Sequence, residues 1–98
     1  MSTLIISPLA QEDALQIWEY IAQDNLRAAD QILERFNTIF RELTTNPLLG
    51  KATAKLGKNL RVFYVGRYDI FYRVSFNNIE IVRILHSSRK ITSELLRE

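Results

Sequence analysis

Cysteine is absent from the 98 residues, which excludes a disulfide scaffold and any thiolate metal site. Histidine occurs once, at His86, so a zinc site would have to lean on carboxylates, a poor donor set. Three glycines and two prolines are too few for a collagen-like or low-complexity chain. No apolar run approaches the roughly 18 residues of a membrane helix, and Met1–Pro8 lacks the basic flank of a signal peptide. The expectation is a soluble cytoplasmic protein, without membrane, metal or cofactor.

What is present is an ordinary globular composition, 47% apolar and 24% charged, sized for one domain over residues 1–98. A chain of this length buries somewhat more than about 60% of its unfolded surface, enough for a real core. The net charge of +2 hides an asymmetry. Residues 1–46 carry seven acids against three bases, and residues 47–98 carry ten bases against four acids. A basic half points to an anionic partner, nucleic acid or an acidic protein segment. The blander alternative is that these cations only solubilise strands.

Residues 3–7 form a short β-rich run stopped by Pro8. Ser7 before Pro8 reads as an N-cap with proline at the first helical position, and Glu12 and Asp13 then lie toward the positive end of the helix dipole. Ala10, Ala14, Ile17, Trp18 and Ile21 mark one helical face, which makes Trp18 a core residue and ends the helix near Asp24 and Asn25. Asn25 caps a second helix whose stripe runs through Ala29, Ile32, Leu33, Phe36, Ile39, Phe40 and Leu43 until Asn46 and Pro47 end it. So short a junction predicts an antiparallel helical hairpin.

Residues 47–59 have no clear period and read as a surface loop. Three strands follow, over 60–65, 68–75 and 79–86. Gly66 and Arg67 make a two-residue type II′ hairpin link, and Phe76, Asn77 and Asn78 a second turn that exploits asparagine's tolerance of positive φ. Ser88 caps a last short helix over 91–97, whose ends fray unless Ile91, Leu95 and Leu96 dock. The predicted class is α+β, in the order β-α-α-β-β-β. The N-terminal strand joins a mainly antiparallel sheet, and the helical hairpin covers one sheet face.

Arg61, Arg73 and Arg83 lie within strands, with Arg67 in the turn and Arg89 just past the last strand. Guanidinium groups suit carboxylate and phosphate recognition, and Tyr64, Tyr68 and Tyr72 are interleaved with them. Singly, each arginine reads as a cross-strand partner, such as Arg73 with Asp69 or Glu80. Together they read as a binding surface for RNA or an acidic peptide. His86 between Arg83 and Arg89 supplies part of what metal-independent RNA cleavage needs, but no acid partner is identifiable. No nucleophile motif surrounds Ser87 and Ser88, and no glycine-rich phosphate loop exists.

The segments Ile6–Ala10, Ile17–Ala22 and Asn46–Gly50, and more closely Leu60–Tyr68, Ile70–Arg73 and Ile79–His86, resemble the RelE/ParE toxin superfamily, most of all its ParE or plasmid-stabilisation branch. The resemblance covers nearly the whole chain in order. It implies the toxin of a type II toxin–antitoxin pair, neutralised by a ParD-like antitoxin and inhibiting DNA gyrase without chemistry of its own. Nucleic acid would then be met only through the antitoxin complex. Residues expected to touch target or antitoxin are Arg61, Tyr64, Arg67, Tyr68, Arg73, Arg83, His86 and Arg89. The RelE branch instead implies ribosome-dependent mRNA cleavage, with Arg61, Arg83 and His86 as the catalytic set. Against that, residues 87–98 contain no tyrosine and the strands lack a lysine-rich set. A third possibility is a non-toxic binding module. In the toxin readings an acidic, amphipathic antitoxin segment is expected to fold along the helical hairpin or over the basic sheet face.

Overall fold

The structure, a computed structural model, describes residues 3–97. Strand β1 (Thr3–Ile6) leads into helices α1 (Pro8–Ala22) and α2 (Leu26–Thr45). Strands β2 (Lys51–Ala52), β3 (Leu60–Val65), β4 (Tyr68–Val74) and β5 (Asn78–His86) follow, then a 3-10 turn over Ser93–Leu96. The sheet order is β1-β5-β4-β3-β2. All pairings are antiparallel except β1 with β5, which run parallel.

Local chemistry sets the helix limits. Ser7 caps α1, accepting from the Ala10 amide at 3.0 Å, with Pro8 in the first turn. The same hydroxyl donates to the Val82 carbonyl at 2.8 Å, so the cap also ties α1 to β5. Asn25 caps α2 through the Ala28 amide at 3.0 Å. Between the helices, Trp18 is half-buried rather than part of the core. Its indole N–H donates to Asp30 at 2.9 Å, a polar bond that joins the two helices.

The two faces of the sheet carry separate apolar clusters. Against the helices lie Ile70, Tyr72, Ile79, Ile81 and Ile84, packed with Phe36, Phe40 and Leu43. On the other face, Leu60, Val62, Phe71, Val82 and Leu85 are covered by the tail through Leu96, with Ile91 and Leu95 alongside. These three tail residues do dock, but the expected helix over 91–97 does not form. Only Ser93–Leu96 coil, as a 3-10 turn preceded by Thr92, and the Ser88 side chain bonds His86 instead of a helix end.

Three further expectations are corrected. The loop 47–59 contains the edge strand β2, in which Lys51 and Ala52 pair with Val62 and Arg61. The order is therefore β-α-α-β-β-β-β. Second, the turn before β5 keeps negative φ; the non-glycine residue with positive φ among those described is Asn59, at 60°. Third, the arginines do not share one sheet face: Leu60 pairs with Arg73, so the next residue, Arg61, lies on the other face, and β5 is irregular as well. Phe71 faces Arg83 while Tyr72 faces Ile81, so Val82 is the extra residue of a β-bulge that re-aims Arg83.

Candidate functional site

Gly66 adopts φ +57°, the left-handed conformation that the first position of a tight hairpin requires. It brings Val65 opposite Tyr68, and Tyr68 in turn pairs with His86 at the end of β5. The Ser87 amide donates to the Arg67 carbonyl at 2.8 Å, which joins the hairpin turn to the chain leaving β5. An aromatic ladder runs outward from the core: Phe36 meets Tyr68 edge-to-face at 5.8 Å, and Tyr68 meets His86 likewise at 5.6 Å.

Between this sheet end and the second half of α1 lies a groove of about 570 Å³. Gln16, Ile17, Tyr20 and Ile21 form the helical wall, and Arg67, Tyr68, His86 and Arg89 lie across from them. The structure thus brings together four of the expected site residues. Tyr20, 72% exposed, and Gln16 were not expected. The one sequence signal was an aromatic on the polar side of α1, which by itself predicts nothing.

His86 is held by the residue two positions on. The Ser88 amide donates to Nδ1 at 3.1 Å, and the Ser88 hydroxyl lies 2.6 Å from the same nitrogen. A neutral ring that accepts at Nδ1 carries its proton on Nε2, so it offers a donor and not a base. Arg67 and Arg89 are exposed, and their guanidinium groups have no hydrogen-bond partner among the described residues. The groove is suited to holding an anion beside apolar surface.

The remaining expected residues lie elsewhere, and their arginines are occupied. Arg83 forms a two-pronged pair with Asp13, Nε to Oδ2 at 2.8 Å and Nη2 to Oδ1 at 2.9 Å. Its third nitrogen donates to the Leu95 carbonyl at 3.0 Å. Asp13 also accepts from the Ile84 amide at 3.0 Å. Beyond the end of β1, then, Ser7 and Asp13 satisfy the outer edge of β5, and Arg83 locks α1, β5 and the tail together. Asp13 lies past the first turn of α1, where the dipole's effect has faded; its role is this clamp. Hydrogen bonds to Asp13, reinforced by the charges of Asp13 and Glu12, hold Arg83 more firmly protonated than usual against the opposing effect of burial.

Arg61 donates to the Gly50 and Leu48 carbonyls, at 2.6–3.2 Å. Tyr72, its partner in register, accepts from the Gly50 amide and donates to the Pro47 carbonyl, both at 2.8 Å. The two side chains clasp the 47–50 loop against the sheet. Arg73 makes a loose pair with Glu80 at 3.5 Å, the cross-strand arrangement anticipated for it. Tyr64, 60% exposed, stands opposite Asp69. Asp69 Oδ1 is buried with no hydrogen-bond partner among the described residues. Burial pushes the Asp69 carboxyl up, and the nearby His86 pulls it partway back.

Arg61, Arg83 and His86 do not converge. Arg61 aligns with Tyr72 and His86 with Tyr68, two strands and four residues apart, or about 16 Å between Cα atoms by ordinary strand spacing. Among the described residues no three His, Cys, Asp or Glu side chains gather to hold a metal, and no helix is long and apolar enough to cross a membrane.

Comparison with known proteins places this geometry. Toxin ParE3 of Caulobacter vibrioides is 26% identical over 84 residues, which span 85% of this chain and 84% of that protein. A chain from the chromosomal ParDE TA system of P. aeruginosa superposes with a TM-score of 0.74 at 18% identity, over 88% of this chain and 96% of its own. One from the YoeB-YefM complex of Staphylococcus aureus gives a TM-score of 0.58 at 20% identity, over 86% and 94%. Both share the fold. Residues 4–91 match the family described as the ParE toxin of the type II toxin-antitoxin system, parDE. A strand, a capped helical hairpin and a bulged antiparallel meander, matched by sequence over residues 4–91, make this chain a member of the ParE toxin family of type II toxin–antitoxin systems.

Proposed function

We propose that this toxin inhibits DNA gyrase by binding, without cutting a substrate, and is neutralised by a ParD-like antitoxin. The observation that carries the reading is that Arg61 and Arg83 are both committed to structural bonds, while His86, about 16 Å from Arg61 by ordinary strand spacing, offers a donor at Nε2. A metal-independent nuclease needs a base and cations gathered on one phosphate. Here two free arginines, Arg67 and Arg89, lie on a groove that also carries apolar residues. The ParDE assembly of the P. aeruginosa relative supports an antitoxin of the ParD kind.

The test is supercoiling and double-strand breakage of plasmid DNA by gyrase, with purified toxin and with or without antitoxin. Lost supercoiling or broken DNA, reversed by antitoxin, is the expected result. No effect from folded toxin at micromolar concentration, with mRNA cleaved on translating ribosomes, would replace this reading with the RelE one. Expression without growth arrest would point to a binding module.

A further inference from the structure

The free positive charge of the sheet end is concentrated on one groove, and it is paired with apolar surface. Arg67 and Arg89 are held on the same end by the bond from the Ser87 amide to the Arg67 carbonyl, and neither guanidinium has a hydrogen-bond partner among the described residues. The one acidic side chain lining the groove, Asp13, is already neutralised by Arg83. His86 adds a ring N–H. Ile17, Ile21 and Ile84 provide apolar lining. The opposite sheet face, by contrast, is sealed by the tail through Leu96 and offers no open basic platform.

We propose that this groove receives an acidic-apolar segment of the neutralising antitoxin, with a carboxylate between Arg67 and Arg89 and an adjacent aliphatic side chain against Ile17 and Ile21. This rests on the antitoxin reading above and assigns its anchoring residues. Charge complementarity selects the occupant. Two unpaired cations match one or two carboxylates, whereas a nucleic acid strand presents a phosphate at every residue and needs a longer cationic track. Exposed charges at a groove rim act mainly on encounter and release, so the contact is salt-sensitive.

The experiment measures binding of the purified cognate antitoxin to the full-length toxin, with short mixed-sequence RNA as a second probe. Arg67→Glu combined with Arg89→Glu is expected to weaken the antitoxin complex at least about tenfold, mostly by faster dissociation. Arg67→Lys with Arg89→Lys should restore most of it. Arg27→Glu with Arg35→Glu, equally exposed on α2, should stay within about twofold of wild type. Circular dichroism melts establish that the variants fold. Tight binding by the double glutamate variant, while the wild type also binds, overturns the groove assignment and leaves the antitoxin reading standing. No complex with the wild type overturns both. RNA that binds the wild type tightly and is lost in the same variant overturns the peptide in favour of nucleic acid.

Discussion

Removing the Arg83 side chain should cost stability far more than any other strand arginine does. The guanidinium and the Asp13 carboxylate are 13% and 9% exposed, and together they engage the Ile84 amide and the Leu95 carbonyl. Arg83→Ala leaves a buried carboxylate with one remaining donor and strips the tail of its anchor. Breaking a buried pair from one side costs about 3–5 kcal/mol, because the abandoned charge stays desolvated. Taking about 3 kcal/mol for a pair with some solvent access, the melting temperature of a chain this size falls by roughly 12–24 °C. Arg83→Met with Asp13→Leu, which removes both charges, should recover a large part of the loss. Urea denaturation of the two single variants and the double gives the coupling directly. If Arg83→Ala unfolds within about 0.5 kcal/mol of wild type while toxicity disappears, the clamp is refuted and Arg83 is a contact residue after all.

Gly50→Ala should destabilise through crowding: an added Cβ would sit 2.6 Å from both the Tyr72 hydroxyl and the Val62 carbonyl oxygen. Overpacking of this kind costs about 1–3 kcal/mol, and a thermal melt close to wild type would mean the 47–50 loop is not clasped in solution. Asp69→Asn should raise stability at neutral pH. The wild-type carboxyl has a folded-state pKa above its ordinary 3.8, so its favourable contribution is present in acid and lost as pH rises through the raised value. Urea midpoints for the two proteins should therefore converge in acid and separate toward neutrality; parallel pH curves would contradict the burial argument. Arg73→Ala should change stability by no more than about 1 kcal/mol, since its long 3.5 Å pair with Glu80 is partly open to solvent, and a larger loss in the same titration would assign Arg73 a further role.

Helices and the three longer strands were legible because each carries its own period and its own stop: Ser7 with Pro8, Asn25, Asn46 with Pro47, Gly66. Strand β2 was not, since two exposed residues have no period and are held only by pairing with β3. The site was half legible. Arg67, Tyr68, His86 and Arg89 converge because a hairpin turn and a strand end are adjacent in any meander. Arg61 and Arg83 escaped because their partners are tertiary. The two carbonyls that hold Arg61 belong to a loop, and Arg83 is swung to the edge by a bulge that alternation cannot foresee. Asp13 looked like a dipole residue for the same reason: its real partner is 70 residues away.

The parallel pairing of β1 with β5 has a consequence for the order in which the chain assembles. Thr3 meets Asn78, and the Ser7 hydroxyl reaches Val82 across 75 residues. During synthesis β1 is thus without its partner until the two helices and β2–β4 have been made, while the helical hairpin and the β3–β4 hairpin close through local contacts. We expect β1 to dock after the rate-limiting step of folding, so that Leu4→Ala and Ile6→Ala speed unfolding and leave the folding rate nearly unchanged. Slower folding in both variants would place the N-terminal strand in the nucleus instead. On the expected order, a nascent or partly unfolded toxin carries an unpaired β5 edge before the arginine clamp has closed.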